Sequence, residues 1–126
     1  MYRTMEMIRE KMLEVERLNE QIARISVTYK SQSYDGAPKG GSGDGMARRI
    51  IAKEFIEARR DKLVEEIRKM EEAARKAISK LPAHLYTFCT CYFLGACSVA
   101  DTCKILDRDE TTFYRYKREV KKMLGE

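Results

Sequence analysis

The chain has 126 residues, 36% of them charged, with a formal net charge of +5. That length bounds it to one modest domain or two small helical pieces, and the basic balance suits a nucleic-acid partner without demanding one. Met1 to Arg24 is charged throughout and lacks the apolar core of a leader. No stretch reaches the roughly 20 apolar residues of a membrane span, so a cytoplasmic protein with no membrane partner is expected.

In chain order, Met5, Ile8, Met12, Val15, Leu18, Ile22 and Ile25 recur in steps of three and four. They mark one narrow apolar stripe on a helix from about Thr4 to Val27. Such a stripe calls for a partner helix. Residues 31–45, SQSYDGAPKGGSGDG, hold five glycines and a proline, too costly in backbone entropy for a helix interior, and are expected to be a linker. The segment is a poor phosphate cradle: Lys39 is followed by Gly40 rather than a hydroxyl residue, and no strand precedes it. A second helix is expected from Met46 to about Lys80, about 50 Å long at its ordinary rise. Its seam would be Ile50/Ile51, Phe55/Ile56, Leu63, Ile67, Met70, Ala74 and Ile78. Glu65–Lys69, Glu71–Arg75 and Glu72–Lys76 stand as acid-first pairs on its surface. The simplest packing is a helical hairpin over residues 1–80. A linker of that length would equally let the first helix pair with another subunit, so a homo-oligomer stays open.

Leu81-Pro82 ends the second helix, because the residue before proline avoids the helical region. Leu81 to Cys97 carries no formal charge and is apolar nearly all round, as expected of a buried central helix ended by Gly95. Cys89, Cys91, Cys97 and Cys103, with His84 nearby, lack the spacing of a zinc knuckle. Cys89 and Cys91 would diverge by about 200° on a helix. Free buried thiols are the better account, and neither a metal site nor a cofactor is expected. No acid–base pair or triad stands out, and no enzyme is expected.

The last thirty residues carry the functional reading. Ser98 suits an N-cap. The short helix behind it, about Val99 to Leu106, puts Val99, Cys103 and Leu106 on one side. Asp107-Arg108-Asp109 breaks the pattern, and Asp109 can cap a second helix beginning at Glu110, with two acids at its positive end. On that helix Phe113, Tyr116, Val120, Met123 and Leu124 share one face. Thr111, Tyr114, Arg115, Arg118, Lys121 and Lys122 lie on or beside the opposite one. A short helix, a three-residue turn and a basic-faced second helix match a major-groove reader. Two amphipathic helices with a solvated charged face would be the plainer account. The cap spacing, the small Cys103 at the crossing and the polarity of the second helix favour DNA binding. The expected fold is therefore all-α, a long helical hairpin over 1–80 followed by a compact helix-turn-helix unit over 81–126.

Two stretches resemble a known family. Ser33 to Ala47, SYDGAPKGGSGDGMA, is similar to the proline-glycine segment that joins two helices in small phage- and prophage-encoded regulators of Gram-positive bacteria. Ser98 to Leu124, SVADTCKILDRDETTFYRYKREVKKML, is similar to the helix-turn-helix of sigma-70 region 4 that these regulators carry. Late-gene transcriptional activators of the ArpU and RinA type are looser relatives. In this resemblance Cys103 sits where alanine is favoured, Asp109 and Thr112 where a serine cap and a threonine are favoured, and Phe113 takes the buried apolar place. Asp107 stands where a turn glycine is common, which implies a wider turn. The family implies control of phage transcription on double-stranded DNA, with host RNA polymerase as a further partner. Thr111, Thr112, Tyr114, Arg115, Arg118, Lys121 and Lys122 would be the DNA-binding residues. Nothing resembles the sigma regions that melt promoters. Two other readings stay open, a small terminase-like subunit that recognises packaging DNA and a coiled-coil adaptor that binds protein.

Overall fold

The computed structural model describes residues 1–35 and 42–125, with side chains for 1–26 and 45–125. Five α-helices and one π-helical turn make up the fold, and no strand occurs among the described residues. The helices are α1 (Tyr2–Asp35), α2 (Ser42–Ile78), α3 (Ala83–Cys89), α4 (Val99–Leu106) and α5 (Glu110–Leu124), with the π turn at Thr90–Leu94 continuing α3. The all-helical expectation holds.

The boundaries of the long helices differ from the sequence expectation. α1 runs on to Asp35 instead of stopping near Val27, and α2 starts at Ser42 instead of Met46. Each added residue of an existing helix gains a hydrogen bond without a new nucleation cost. Ser and Gly, which break a helix interior, are also well tolerated at its start. The remainder of the expected linker, residues 36–41, lies outside the described residues.

The chain forms two compact units, one of Met1–Leu13 with Glu65–Glu126 and one of Glu14–Val64. The division falls within α1 and α2 and not at residue 80. In the first unit Tyr2, Met5 and Ile8 of α1 are buried, as are Ile67, Ala74 and Ile78 of α2. Leu85, Phe88, Cys89, Tyr92, Phe93 and Leu94, from the uncharged segment, form the centre of that core. Lys11 donates to Glu66 at 2.8 Å, and the Tyr2 amide donates to the Gly125 carbonyl at 2.9 Å, tying the start of α1 to the end of α5.

In the second unit α1 and α2 of the same chain meet through Arg60 Nη1, which donates to Asn19 Oδ1 at 3.2 Å, and through an Arg59–Glu14 pair at 4.0 Å. Among the described residues of that unit, Leu18 alone is a buried apolar side chain. Ile50, Ile51 and Phe55, expected in the seam, are exposed, Phe55 to 72%. The reason is angular: at 100° per residue Ile51 lies about 160° and Phe55 about 120° round from the buried Ile67. One seam cannot hold all three.

The π turn has a local cause. The Gly95 amide donates to the Thr90 carbonyl at 2.8 Å, five residues back, and the Cys97 amide to the Cys91 carbonyl at 3.1 Å. A Cβ on Gly95 would stand 2.8 Å from the Cys91 carbonyl oxygen, so only glycine allows that closure. Arg9 Nη1 reaches in from α1 and donates to the Tyr92 and Cys97 carbonyls, each at 2.7 Å. Its guanidinium carbon lies 3.9 Å from the centroid of the Tyr92 ring. A cation thus meets the negative end of the helix and supplies donors for the Tyr92 carbonyl there and for the Cys97 carbonyl in the loop beyond.

Candidate nucleic-acid interface

The helix-turn-helix is built from short-range chemistry. Ser98 Oγ accepts from the Asp101 amide at 3.1 Å, capping α4, and the Thr102 hydroxyl donates to the Ser98 carbonyl at 2.8 Å while its side chain is buried. At the far end Asp107 adopts a left-handed conformation, φ 55° and ψ 49°. The Asp107 amide donates to the Lys104 carbonyl at 3.2 Å and the Arg108 amide to the Cys103 carbonyl at 3.0 Å. This pair of bonds is the Schellman closure that glycine usually makes. The turn is therefore not wider, as the missing glycine implied; Asp107 itself takes the left-handed place, which Asp and Asn visit more readily than most residues. Two residues on, Asp109 Oδ1 accepts from the Thr112 amide at 2.9 Å and starts α5. That bond holds the Asp109 carboxyl below its usual value near 3.8.

α5 is anchored by Phe113, Tyr116 and Val120, all buried. The Phe113 ring meets Phe88 at 5.1 Å and Tyr92 at 4.9 Å between centroids, both edge to face, and Tyr116 lies 5.0 Å from the His84 ring. His84 Nε2 stands 3.7 Å from Glu119 Oε2, so the lone histidine finds an acid in space that it lacks in sequence. Met123, assigned to the same face, is 56% exposed; it stands at the edge of that face, about 60° round from Val120. Leu124 is half-buried.

The opposite face is open. Thr111, Tyr114, Arg115, Arg118, Lys121 and Lys122 are all exposed, as the helical spacing predicts. Thr112 is half-buried, and its amide is used by the cap, which makes it a positioning residue for the start of α5. Two of the cations also touch the protein's own rings: the Arg115 guanidinium carbon lies 5.6 Å from the Tyr116 centroid and Lys121 Nζ lies 5.9 Å from that of Tyr2. Lys117, which the spacing left out, is half-buried with its ammonium 5.6 Å from the Tyr92 centroid.

Charge along this unit is polarised. From Arg115 to Lys122 there are five basic residues against one acid, Glu119. From Asp101 to Glu110 there are four acids against Lys104 and Arg108. Cysteine, lysine, arginine and acids meet in a cleft of about 590 Å³ between the two helices, lined by Cys103, Lys104, Asp107, Arg108, Asp109 and Thr112. Lys104 and Arg108 are additional cations on this side that periodicity along α5 could not reveal, because they belong to α4 and the turn. The arrangement offers exposed donors and positive charge on the middle and end of α5, and negative charge beside its first turn. An anionic backbone would be attracted by the first and turned away by the second.

The thiols do not assemble into a site. All four cysteines are free, and no group of three potential ligands able to hold a metal occurs among the described residues. Burial pushes the Cys89 thiol up to about 12. Cys91 is raised by burial and by Cys97, and Cys103 by burial and then by Glu110 and Asp109. None of these shifts favours a thiolate nucleophile. No helix among the described residues is long and apolar enough to cross a membrane. Comparison with family models, with curated proteins and with solved structures yields no match in any of the three.

Proposed function

We propose that this chain is a sequence-specific DNA-binding protein that reads double-stranded DNA with the exposed face of α5 and regulates phage or prophage transcription. One observation carries the reading: a doubly capped helix-turn-helix whose second helix buries Phe113, Tyr116 and Val120 and turns Tyr114, Arg115, Arg118 and Lys122 outward. Arginine can pair bidentately with guanine in the major groove, whereas lysines further along the helix suit phosphates. The resemblance of Ser98 to Leu124 to sigma region 4 gives this reading its transcriptional direction. It makes host RNA polymerase a second partner in the cytoplasm. No catalytic step is assigned to the chain, and no cofactor.

The test is recovery of DNA with the protein from host cells, followed by sequencing. Promoter-proximal fragments are expected. Recovery of a single packaging locus would move the assignment to a terminase-like recognition subunit. A protein that recovers no DNA, and binds none in vitro at low salt, would be a protein-binding adaptor, a reading favoured by the exposed Ile51 and Phe55 of α2.

A further inference from the structure

We infer that Ala47, Ile51, Phe55 and Ala58 of α2 form a self-association surface, covered by the same stripe of a second copy of this chain in parallel register. All four are exposed, Ile51 to 51% and Phe55 to 72%. Steps of four, four and three put them within about 80° of one another on one helix face. That face points away from the residues α2 turns toward α1: Lys53, Ile56, Arg60 and Leu63, all half-buried, lie on the other side of the helix. α2 thus carries an apolar stripe on the side away from α1, exposed among the described residues.

The room for a second copy follows from how little the described side chains of this unit bury. With Leu18 the buried apolar side chain among the described residues of Glu14–Val64, Ile51 and Phe55 find little apolar cover among those residues. A partner stripe supplies the missing contact. Large Ile51 and Phe55 in the middle, with small Ala47 and Ala58 at either end, let two such helices approach closely and interdigitate.

Charge then selects the occupant and its direction. Glu54 lies on one flank of the stripe, with Asp61, paired to Arg60, about two turns further along; Arg48 and Arg59 lie on the other flank, Arg59 also standing 4.0 Å from Glu14 of its own chain. In a parallel, in-register pair opposite flanks face each other, so Glu54 meets Arg59 of the second copy, and the reverse, about the twofold axis. In an antiparallel pair centred near Lys53 like flanks would meet. Arg48 would face Arg59 of the second copy, and the two copies of Glu54 would face each other. The mixture of acid and base beside the stripe also suits a copy of itself better than an anionic lipid surface.

The test is sedimentation of the full chain over a concentration series, with circular dichroism on every variant. The parent is expected to dimerise. Phe55→Glu should raise the dimer dissociation constant by roughly thirtyfold or more. Helicity should stay unchanged, because this side chain makes little contact within its own chain. Glu54→Arg and Arg59→Glu should each weaken the dimer and together restore it. A parent that stays monomeric at every concentration overturns the proposal and leaves the stripe to a different protein. A dimer indifferent to Phe55→Glu overturns it as well, and a dimer tightened by Arg59→Glu alone overturns the parallel register.

Discussion

Arg118→Ala and Lys122→Ala separate reading from holding, because both side chains are exposed on α5 and neither contributes to its buried face. A lysine that neutralises one phosphate contributes about 0.9 to the slope of log K against log salt. Its loss should weaken every duplex alike, and the deficit should shrink by about 3.5-fold when salt is raised fourfold. An arginine on a base edge behaves differently. Its removal should cost about 1–3 kcal/mol, or about 5- to 140-fold, on the preferred site and much less on random duplex. Arg115→Ala should follow Arg118→Ala. Lys121→Ala should resemble Lys122→Ala in its salt dependence but also lose some stability, since the Lys121 ammonium lies 5.9 Å from the Tyr2 ring. Phe113→Ala is the control: it removes a ring in edge-to-face contact with Phe88 and Tyr92 and should cost about 3–5 kcal/mol of folding free energy. That is a large part of the about 5–15 kcal/mol that holds a domain together. The assay is fluorescence anisotropy on a selected site and a random duplex across a salt series, with a melting curve for each variant. If the Arg115, Arg118, Lys121 and Lys122 variants all bind both duplexes as the parent does, α5 does not read DNA.

Other substitutions test the local geometry. Asp107→Gly should raise the melting temperature by about 2–8 °C, because glycine enters the left-handed region without strain, and Asp107→Ala should lower it. Equal melting of all three would mean that this turn is not left-handed. The lowered carboxyl of Asp109 means that its capping contribution is complete above the ordinary aspartate range and is lost as pH falls through the folded value. Melting followed from about pH 5 down to about pH 2 should therefore show a smaller acid loss for Asp109→Asn than for the parent, since asparagine caps without titrating. Cys89, with its thiol raised to about 12, should be the last of the four cysteines to react with a disulfide reagent in the folded protein. Chelation should leave that order unchanged, and a tightly bound equivalent of zinc in protein purified without added metal would refute the free-thiol account.

What could be read in the sequence was what depends on neighbours in sequence. Ser98 and Asp109 cap helices through side chains that reach only three residues ahead, and α4 and α5 start where those caps predict, while α4 ends at Leu106, where the Asp107-Arg108-Asp109 break sets its limit. The exposed face of α5 followed from helical spacing alone. Spacing failed where the partner decides. One seam over Phe55 and Ile67 is too wide, since they lie about 120° apart round α2, and of the two only Ile67 is buried. Met123 keeps the period of Phe113 and Tyr116 but stands at the edge of their face and is 56% exposed. Arg9 could not be found at all, since its acceptors, the carbonyls of Tyr92 and Cys97, stand 83 and 88 residues away and are backbone atoms with no signature. The π turn was hidden for a related reason. Gly95 reads equally well as a simple helix stop, and only the approach of the Cys91 carbonyl shows what its missing side chain permits.

The bond from the Tyr2 amide to the Gly125 carbonyl has a consequence for how the chain comes to be folded. On the ribosome Tyr2, Met5 and Ile8 emerge long before the segment that completes their surroundings. α1 must wait, partly uncovered, until α5 has been made. The compact unit formed by Met1–Leu13 and Glu65–Glu126 is closed by contacts between distant parts of the chain, which slow folding relative to local helix pairing. A fragment beginning at the uncharged segment would carry both helices of the helix-turn-helix yet leave the Tyr92 and Cys97 carbonyls without Arg9. Anyone transplanting the reading helices onto another protein would have to bring the first thirteen residues along, as a separate strand of chain if need be.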